Sequence, residues 1–188
     1  LSSASGTVCE TRPQPAPRRF GACITYISRL ILGFGLLVGV VLAVWEHIPP
    51  APLPASAPPG EFSARRAFEH VRAIAVEPHP AGSPANERVK NYIMDQVRAL
   101  GLEPQIQRDW STRAPGQASL VENVLVRISG SDSTGAVALV AHYDSVAFGP
   151  GAADNTSGVA TLLETMRAVV WGGFSPRNDL IFVFTDGE

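Results

Sequence analysis

Lysine is almost missing from this chain. Lys90 is the single one, and arginine supplies the rest of 15 basic residues set against 17 acidic ones, for a formal net charge of −2 over 188 residues. No basic stripe exists, which argues against a nucleic-acid surface. Cysteine is scarce too: Cys9 and Cys23 both precede the expected globular part, so no disulfide framework can staple it, and they leave the redox compartment open. No His-Glu-x-x-His helix, Cys-x-x-Cys pair, Gly-x-Ser-x-Gly elbow or phosphate-binding loop occurs. Ser145 and Ser157 lack a base and elbow context, which excludes a serine hydrolase. No internal repeat is visible. The first residue is Leu rather than Met, so the start reads as processed or incomplete.

Charge is also missing between Leu30 and Trp45, which read LILGFGLLVGVVLAVW. A membrane-spanning helix needs about 20 apolar residues. Residues 24–45 reach that length if Arg29 snorkels to the headgroups. Arg12, Arg18 and Arg19 precede the segment, and no Arg or Lys follows until Arg65. The positive-inside rule therefore expects a cytoplasmic tail at 1–23, a transmembrane anchor at 24–45 with Trp45 at the interface, and export of everything beyond. A signal peptide cleaved near Ala55-Ser56-Ala57 is the rival reading. Residues 46–60 form a Pro-rich linker with Pro49, Pro50, Pro52, Pro54, Pro58 and Pro59, expected as an extended spacer.

Residues 61–188 carry the pattern of a folded domain. Helices are expected over 61–76, 85–100 and 157–170, and strands over 103–110, 120–128, 136–142 and 180–185. The strand 136–142 is almost wholly apolar and is expected to be buried on both faces. Strand, helix, strand in succession predicts an α/β sheet with right-handed crossovers and helices on both faces. Ligand sites in such sheets lie beyond the carboxyl ends of the strands.

Acidic motifs fall at those ends. His142-Tyr143-Asp144-Ser145 follows one strand and Asp186-Gly187-Glu188 the next, while Asp154 lies in the small-residue loop Gly149–Asn155. On extended backbone His142 and Asp144 project to one face. A buried imidazole and carboxylates gathered at a strand end are costly without a metal or partner charge. Asp144 could hold the imidazole or bind metal itself, Asp154 could bridge two cations, and Glu188 could accept a proton from an activated water. Each motif also has an ordinary reading: a polar pair at a strand end, a helix cap and a turn. Glu164 is expected on a solvated helix face or paired with Arg167, His79 in a loop, and His47 and His70 in solvent.

In order and spacing these pieces are far more specific. LVAHYDSVAFGPGAADNTSGVATLLETMRAVV followed by NDLIFVFTDGE resembles the co-catalytic zinc aminopeptidase family. It looks closest to the membrane-anchored branch that includes the endoplasmic reticulum metallopeptidase and the vacuolar membrane protease. PHPAGSPANERVKNYIMDQVRALGLEPQIQ and ENVLVRISG resemble that family's opening helices and first strands. The resemblance spans roughly residues 61–188.

It implies a three-layer zinc-exopeptidase-like fold with a mixed sheet, here incomplete, and an active site holding two Zn2+. His142 would be a ligand to one zinc, Asp144 its partner, Asp154 the bridging carboxylate with a cis peptide to Asn155, and Glu188 the general base. A following Glu and two later ligands would lie beyond residue 188, so the chain by itself is expected to be an inactive fragment. Peptides are the implied substrate, with removal of N-terminal residues the implied reaction. The membrane is the implied partner through the N-terminal helix, no nucleic acid is expected, and the oligomeric state is open. A bacterial inner membrane with a periplasmic domain is the expected location, and an endoplasmic reticulum or vacuolar lumen the alternative. A non-catalytic binding module, a one-zinc acyltransferase of the glutaminyl cyclase type, and carboxypeptidase or dipeptidase action stay open.

Overall fold

The computed structural model describes residues 20–114 and 117–188. The expected tail over 1–19, with Cys9, lies outside the described residues. Helix α1 runs Phe20–Glu46. Its portion Tyr26–Glu46 has a mean hydropathy of 2.4 and none of it is buried, so it is the one helix among the described residues long and apolar enough to cross a membrane. At 1.5 Å per residue such a stretch reaches about 30 Å, the thickness of a hydrocarbon core.

The chain divides into Leu1–Pro50 and Ala51–Glu188. In the second unit, α2 (Ala64–Ile74) begins at Ser63, whose side chain accepts from the Arg66 N–H. Helix α3 (Pro84–Ala99) begins at Ser83, which caps Asn86, with Pro84 where a missing N–H costs nothing. Strands β1 (Gln105–Ala114), β2 (Gln117–Ile128) and β3 (Ala136–His142) follow, then a π-type turn (Ala152–Thr156), α4 (Ser157–Trp171) and β4 (Asp179–Thr185). The spatial order is β1-β2-β4-β3. β1 and β4 run antiparallel to β2, while β3 runs parallel to β4. The mixed α/β sheet expected from the sequence is present.

Val124, Val126, Phe182, Phe184 and Ala141 pack with Ile93, Val97, Val159, Leu163 and Met166 into one core. Period-two alternation puts the strand members of that core on one sheet face, which α2, α3 and α4 cover. On the opposite face no helix appears among the described residues. The expectation that β3 is buried on both sides is corrected: Val140, on the face away from Ala141, is 59% exposed, and even Val137, near the start of the strand on the Ala141 face, is 53% exposed. An apolar strand sequence cannot reveal its place in the sheet, and β3 sits at an edge of the described one.

The Pro-rich linker departs from a free spacer as well. Ser63 Oγ donates to the carbonyls of Leu53 and Pro54, and Arg66 Nη1 to those of Ala55 and Ala57. Arg66 Nη2 and Arg167 Nη2 both reach Glu61 O, and Arg167 Nη1 reaches Pro59 O. Proline-rich backbone offers carbonyls without matching N–H groups, and the two guanidinium forks collect them. Both forks are held by Glu164, which is 0% exposed, at 2.6–2.9 Å from Arg167 and Arg66. The pairing of Glu164 with Arg167 was legible from the spacing; the alternative of a solvated helix face is corrected, because the linker and α2 cover the carboxylate.

Candidate active site

β3 ends at His142, and the chain leaves the sheet with Asp144 and Ser145 buried. The ring of His142 is held from both sides. Its Nδ1 lies 3.1 Å from the Asp144 carbonyl oxygen and 3.5 Å from the Asp144 carboxylate, so the backbone oxygen is the nearer partner. Its Nε2 lies 3.1 Å from Oδ1 of Asp154, a residue whose side chain is 90% exposed. Burial disfavours the imidazolium, but the hydrogen bond to Asp154, the Asp144 carbonyl, and the charges of Asp144 and Glu188 outweigh it. The His142 pKa consequently lies above its ordinary value.

Asp154 reaches the imidazole because the loop turns sharply. Gly151 has φ of +62°, and a Cβ there would lie 2.8 Å from the Asp154 carbonyl oxygen and 2.9 Å from the Ser145 Cβ. Only glycine fits both the left-handed conformation and that approach. The Asp154–Asn155 peptide is cis, as the resemblance implied. Asn155 Oδ1 then accepts from the N–H of Gly158 in the first turn of α4.

β4 delivers the second acidic motif beside the first. The Glu188 N–H donates to Asp144 Oδ1 at 3.3 Å. Asp186 is buried and accepts from Asn86 Nδ2 at 3.1 Å and from the Glu122 N–H at 3.2 Å. Burial raises its pKa, the Asp144 charge adding to the effect against those two hydrogen bonds. Tyr143 points the other way from its neighbours, its hydroxyl donating to Glu122 O at 2.7 Å. His142, Asp144, Asp154 and Glu188 all line one cleft of about 930 Å3, with Pro80 and Phe148 among the other residues on its wall.

The structure thus gathers the four residues singled out in the sequence. It also brings in residues to which sequence reasoning assigned no part in the site. His79 lies in a loop as expected, and it is 1% exposed there. Its N–H donates to Ser145 Oγ and its carbonyl accepts from the Ser145 N–H. The Pro78–Pro84 turn is thereby pinned to the cleft; the proline spacing signalled a turn but not what it docks on. His70 likewise is not solvated: burial lowers its pKa, and Nδ1 sits 2.7 Å from the Tyr92 hydroxyl. Asn86 and Glu122 carried no motif that would single them out.

The donor set has the chemistry of a cation site. An imidazole nitrogen and a carboxylate oxygen, both lone-pair donors when deprotonated, converge at 3.1 Å, an arrangement satisfied by a proton or a metal ion between them. Structural and catalytic zinc sites use three or four protein ligands. Among the described residues no group of three His, Cys, Asp or Glu suited to a metal forms. His142 and Asp154 are two such donors, fewer than those sites use.

Residues 123–188 match Peptidase family M28, which bears out the resemblance read from the sequence. A vacuolar membrane protease of Yarrowia lipolytica is 37% identical over 79 residues, covering 39% of this chain and 8% of that protein. Among solved structures, a glutaminyl cyclase from Porphyromonas gingivalis superposes with a TM-score of 0.59 at 27% identity, over 68% of this chain and 46% of that one. A Zn-dependent exopeptidase from Parabacteroides distasonis shares the fold at a TM-score of 0.59 and 23% identity, over 68% and 48%. The chain therefore spans a small part of the curated relative and just under half of each solved neighbour.

Proposed function

We propose, from the Peptidase family M28 match over residues 123–188, that this chain carries the opening half of the active site of a membrane-anchored zinc exopeptidase that removes N-terminal residues from peptides. The observation that carries the reading is the approach of His142 Nε2 to Asp154 Oδ1 at 3.1 Å at the mouth of a cleft that Glu188 also lines. His142 and Asp154 would hold the metal, and the two carboxylate oxygens of Asp154 could serve more than one ion. Zinc, when bound, polarises the scissile carbonyl and makes water acidic enough to ionise near neutral pH.

The chain's own residues do the rest. Asp144 keeps the His142 proton on Nδ1, through its carbonyl and the nearby carboxylate, so that Nε2 offers a lone pair. Glu188 takes the proton of the attacking water and passes it to the departing amine, which balances the hydrolysis. The α1 helix would anchor the unit in the membrane, and the arginines before it, with none after it until Arg65, support an exported peptidase.

The test uses the full gene-encoded protein. Zinc content, release of p-nitroaniline from aminoacyl substrates, and cleavage of carboxypeptidase and dipeptidase substrates are measured beside a Glu188→Gln variant. Two zinc ions per chain with aminopeptidase turnover abolished in the variant support the reading. Zinc without turnover on any peptide would leave a binding module. Cyclisation of an N-terminal glutamine substrate, with one zinc, would favour acyl transfer of the kind suggested by the glutaminyl cyclase fold neighbour.

A further inference from the structure

Asp186 has no role in the chemistry proposed above, yet it is 8% exposed and both its carboxylate oxygens accept hydrogen bonds. Its two oxygens take donors from different elements. Oδ1 accepts from Asn86 Nδ2 on α3 at 3.1 Å, and Oδ2 accepts from the Glu122 N–H on β2 at 3.2 Å. Its own N–H donates to Asn123 Oδ1, again on β2, at 3.0 Å. The residue leaving β4 is thus tied at three points. The next residue, Gly187, has φ of +73°, and a Cβ there would come within 2.5 Å of Val121 Cγ1, so the turn lies flat on β2. Glu188 then sets its N–H on Asp144 Oδ1. A turn at the end of a strand would otherwise be free to swing, because among the described residues no strand pairs with the chain beyond Thr185.

We infer that Asp186 is a positioning residue: by clamping the β4 exit between Asn86 on α3 and the Glu122 N–H on β2, it sets where Glu188 stands relative to His142 and Asp144. The inference rests on the proposed role of Glu188 as proton acceptor. A proton acceptor must stand within hydrogen-bond reach of the water it serves, and misplacement of about 1 Å costs about a hundredfold in rate. Asn86 occupies the third position of α3, after the Ser83 cap, where an acidic residue favours the helix. An Asn86→Asp change should therefore leave α3 intact while setting one carboxylate against another.

The experiment is a swap in the full gene-encoded protein: Asn86→Asp alone, then Asn86→Asp together with Asp186→Asn, which restores a hydrogen bond of reversed polarity. Two readouts are taken, hydrogen exchange at the Glu188 amide and steady-state peptide hydrolysis with zinc content. The single variant is expected to speed exchange at Glu188 and to lower kcat about tenfold or more with KM and zinc content little changed, and the double variant to recover both within about threefold. Unchanged exchange at Glu188 in the single variant overturns the inference whatever the activity. So does a folded double variant that recovers neither readout, since the reversed bond should restore the tie. A wild-type protein without turnover instead removes the proposed function, while the exchange readout still decides the tie.

Discussion

Nε2 of His142, the last residue of β3, lies 3.1 Å from Oδ1 of Asp154, which belongs to the π-type turn before α4. Two elements that share no ladder meet at one point, and the meeting depends on Gly151 and on the edge position of β3.

On the proposed function His142 and Asp154 are the metal's donors, so His142→Ala and Asp154→Ala should each weaken zinc binding by more than the roughly 10–100-fold typical of an outer partner. Competition with a chromogenic chelator measures it on the full gene-encoded protein. Equal zinc affinity in either variant would remove that residue from the ligand set.

Asp144 should behave differently, because its backbone carbonyl is the nearer partner of His142 Nδ1 and survives substitution. Its carboxylate accepts from the Glu188 N–H. Asp144→Ala is therefore expected to cost about tenfold in zinc affinity, the low end for an outer partner, but to lower kcat by a larger factor through Glu188. Chelator competition and initial-rate kinetics on the same preparation separate the two. A fall in zinc affinity that accounts for the whole loss of activity would contradict the link between Asp144 and Glu188.

Gly151→Ala tests the loop. The left-handed conformation costs a non-glycine residue about 1–2 kcal/mol, and the new Cβ would press on Ser145 Cβ and the Asp154 carbonyl. Thermal unfolding should show a drop in Tm of several degrees, and zinc affinity should fall with it, because Asp154 would move. A variant with wild-type Tm and wild-type zinc binding would show that the loop accommodates the methyl group and that Gly151 does not set Asp154.

Much of this site was legible because strand ends and glycine-rich turns leave strong local signals. β3 was read with its observed bounds from an unbroken apolar run, and His142, Asp144, Asp154 and Glu188 from their places just past strands or before a helix. What could not be read was lateral. Val137 and Val140 look like core residues until the order β1-β2-β4-β3 puts them at an edge. Glu122 looks like an exposed strand residue, yet it pairs with Lys90 and Arg108 through its side chain and with Asp186 and Tyr143 through its backbone. Asn86 is an ordinary first-turn residue until β4 arrives beside it. These partners lie 14 to 100 residues away, and no periodicity encodes them.

Glu164 offers the clearest pH dependence away from the site. Burial alone would raise its pKa, but hydrogen bonds from Arg167, the Ser63 N–H and Arg66, with the Arg167 charge, hold it below the ordinary value of 4.5. The unfolded chain therefore binds its proton first as pH falls. The stabilisation is fully present above about pH 4.5 and is lost as pH drops through the depressed folded value. Glu164→Gln removes the charge that both guanidinium groups face and leaves them partly uncompensated, a change that costs about 3–5 kcal/mol when a buried pair is broken. Because the same two arginines collect the carbonyls of Ala55, Ala57, Pro59 and Glu61, the linker should loosen together with the core. Limited proteolysis of the Pro-rich segment, followed against pH, is expected to show early cleavage in Glu164→Gln at neutral pH and in the wild type only below about pH 4.5. Cleavage of the wild-type segment at neutral pH, at the rate seen in the variant, would mean that the linker is a free tether and that the two arginines do not retain it in solution.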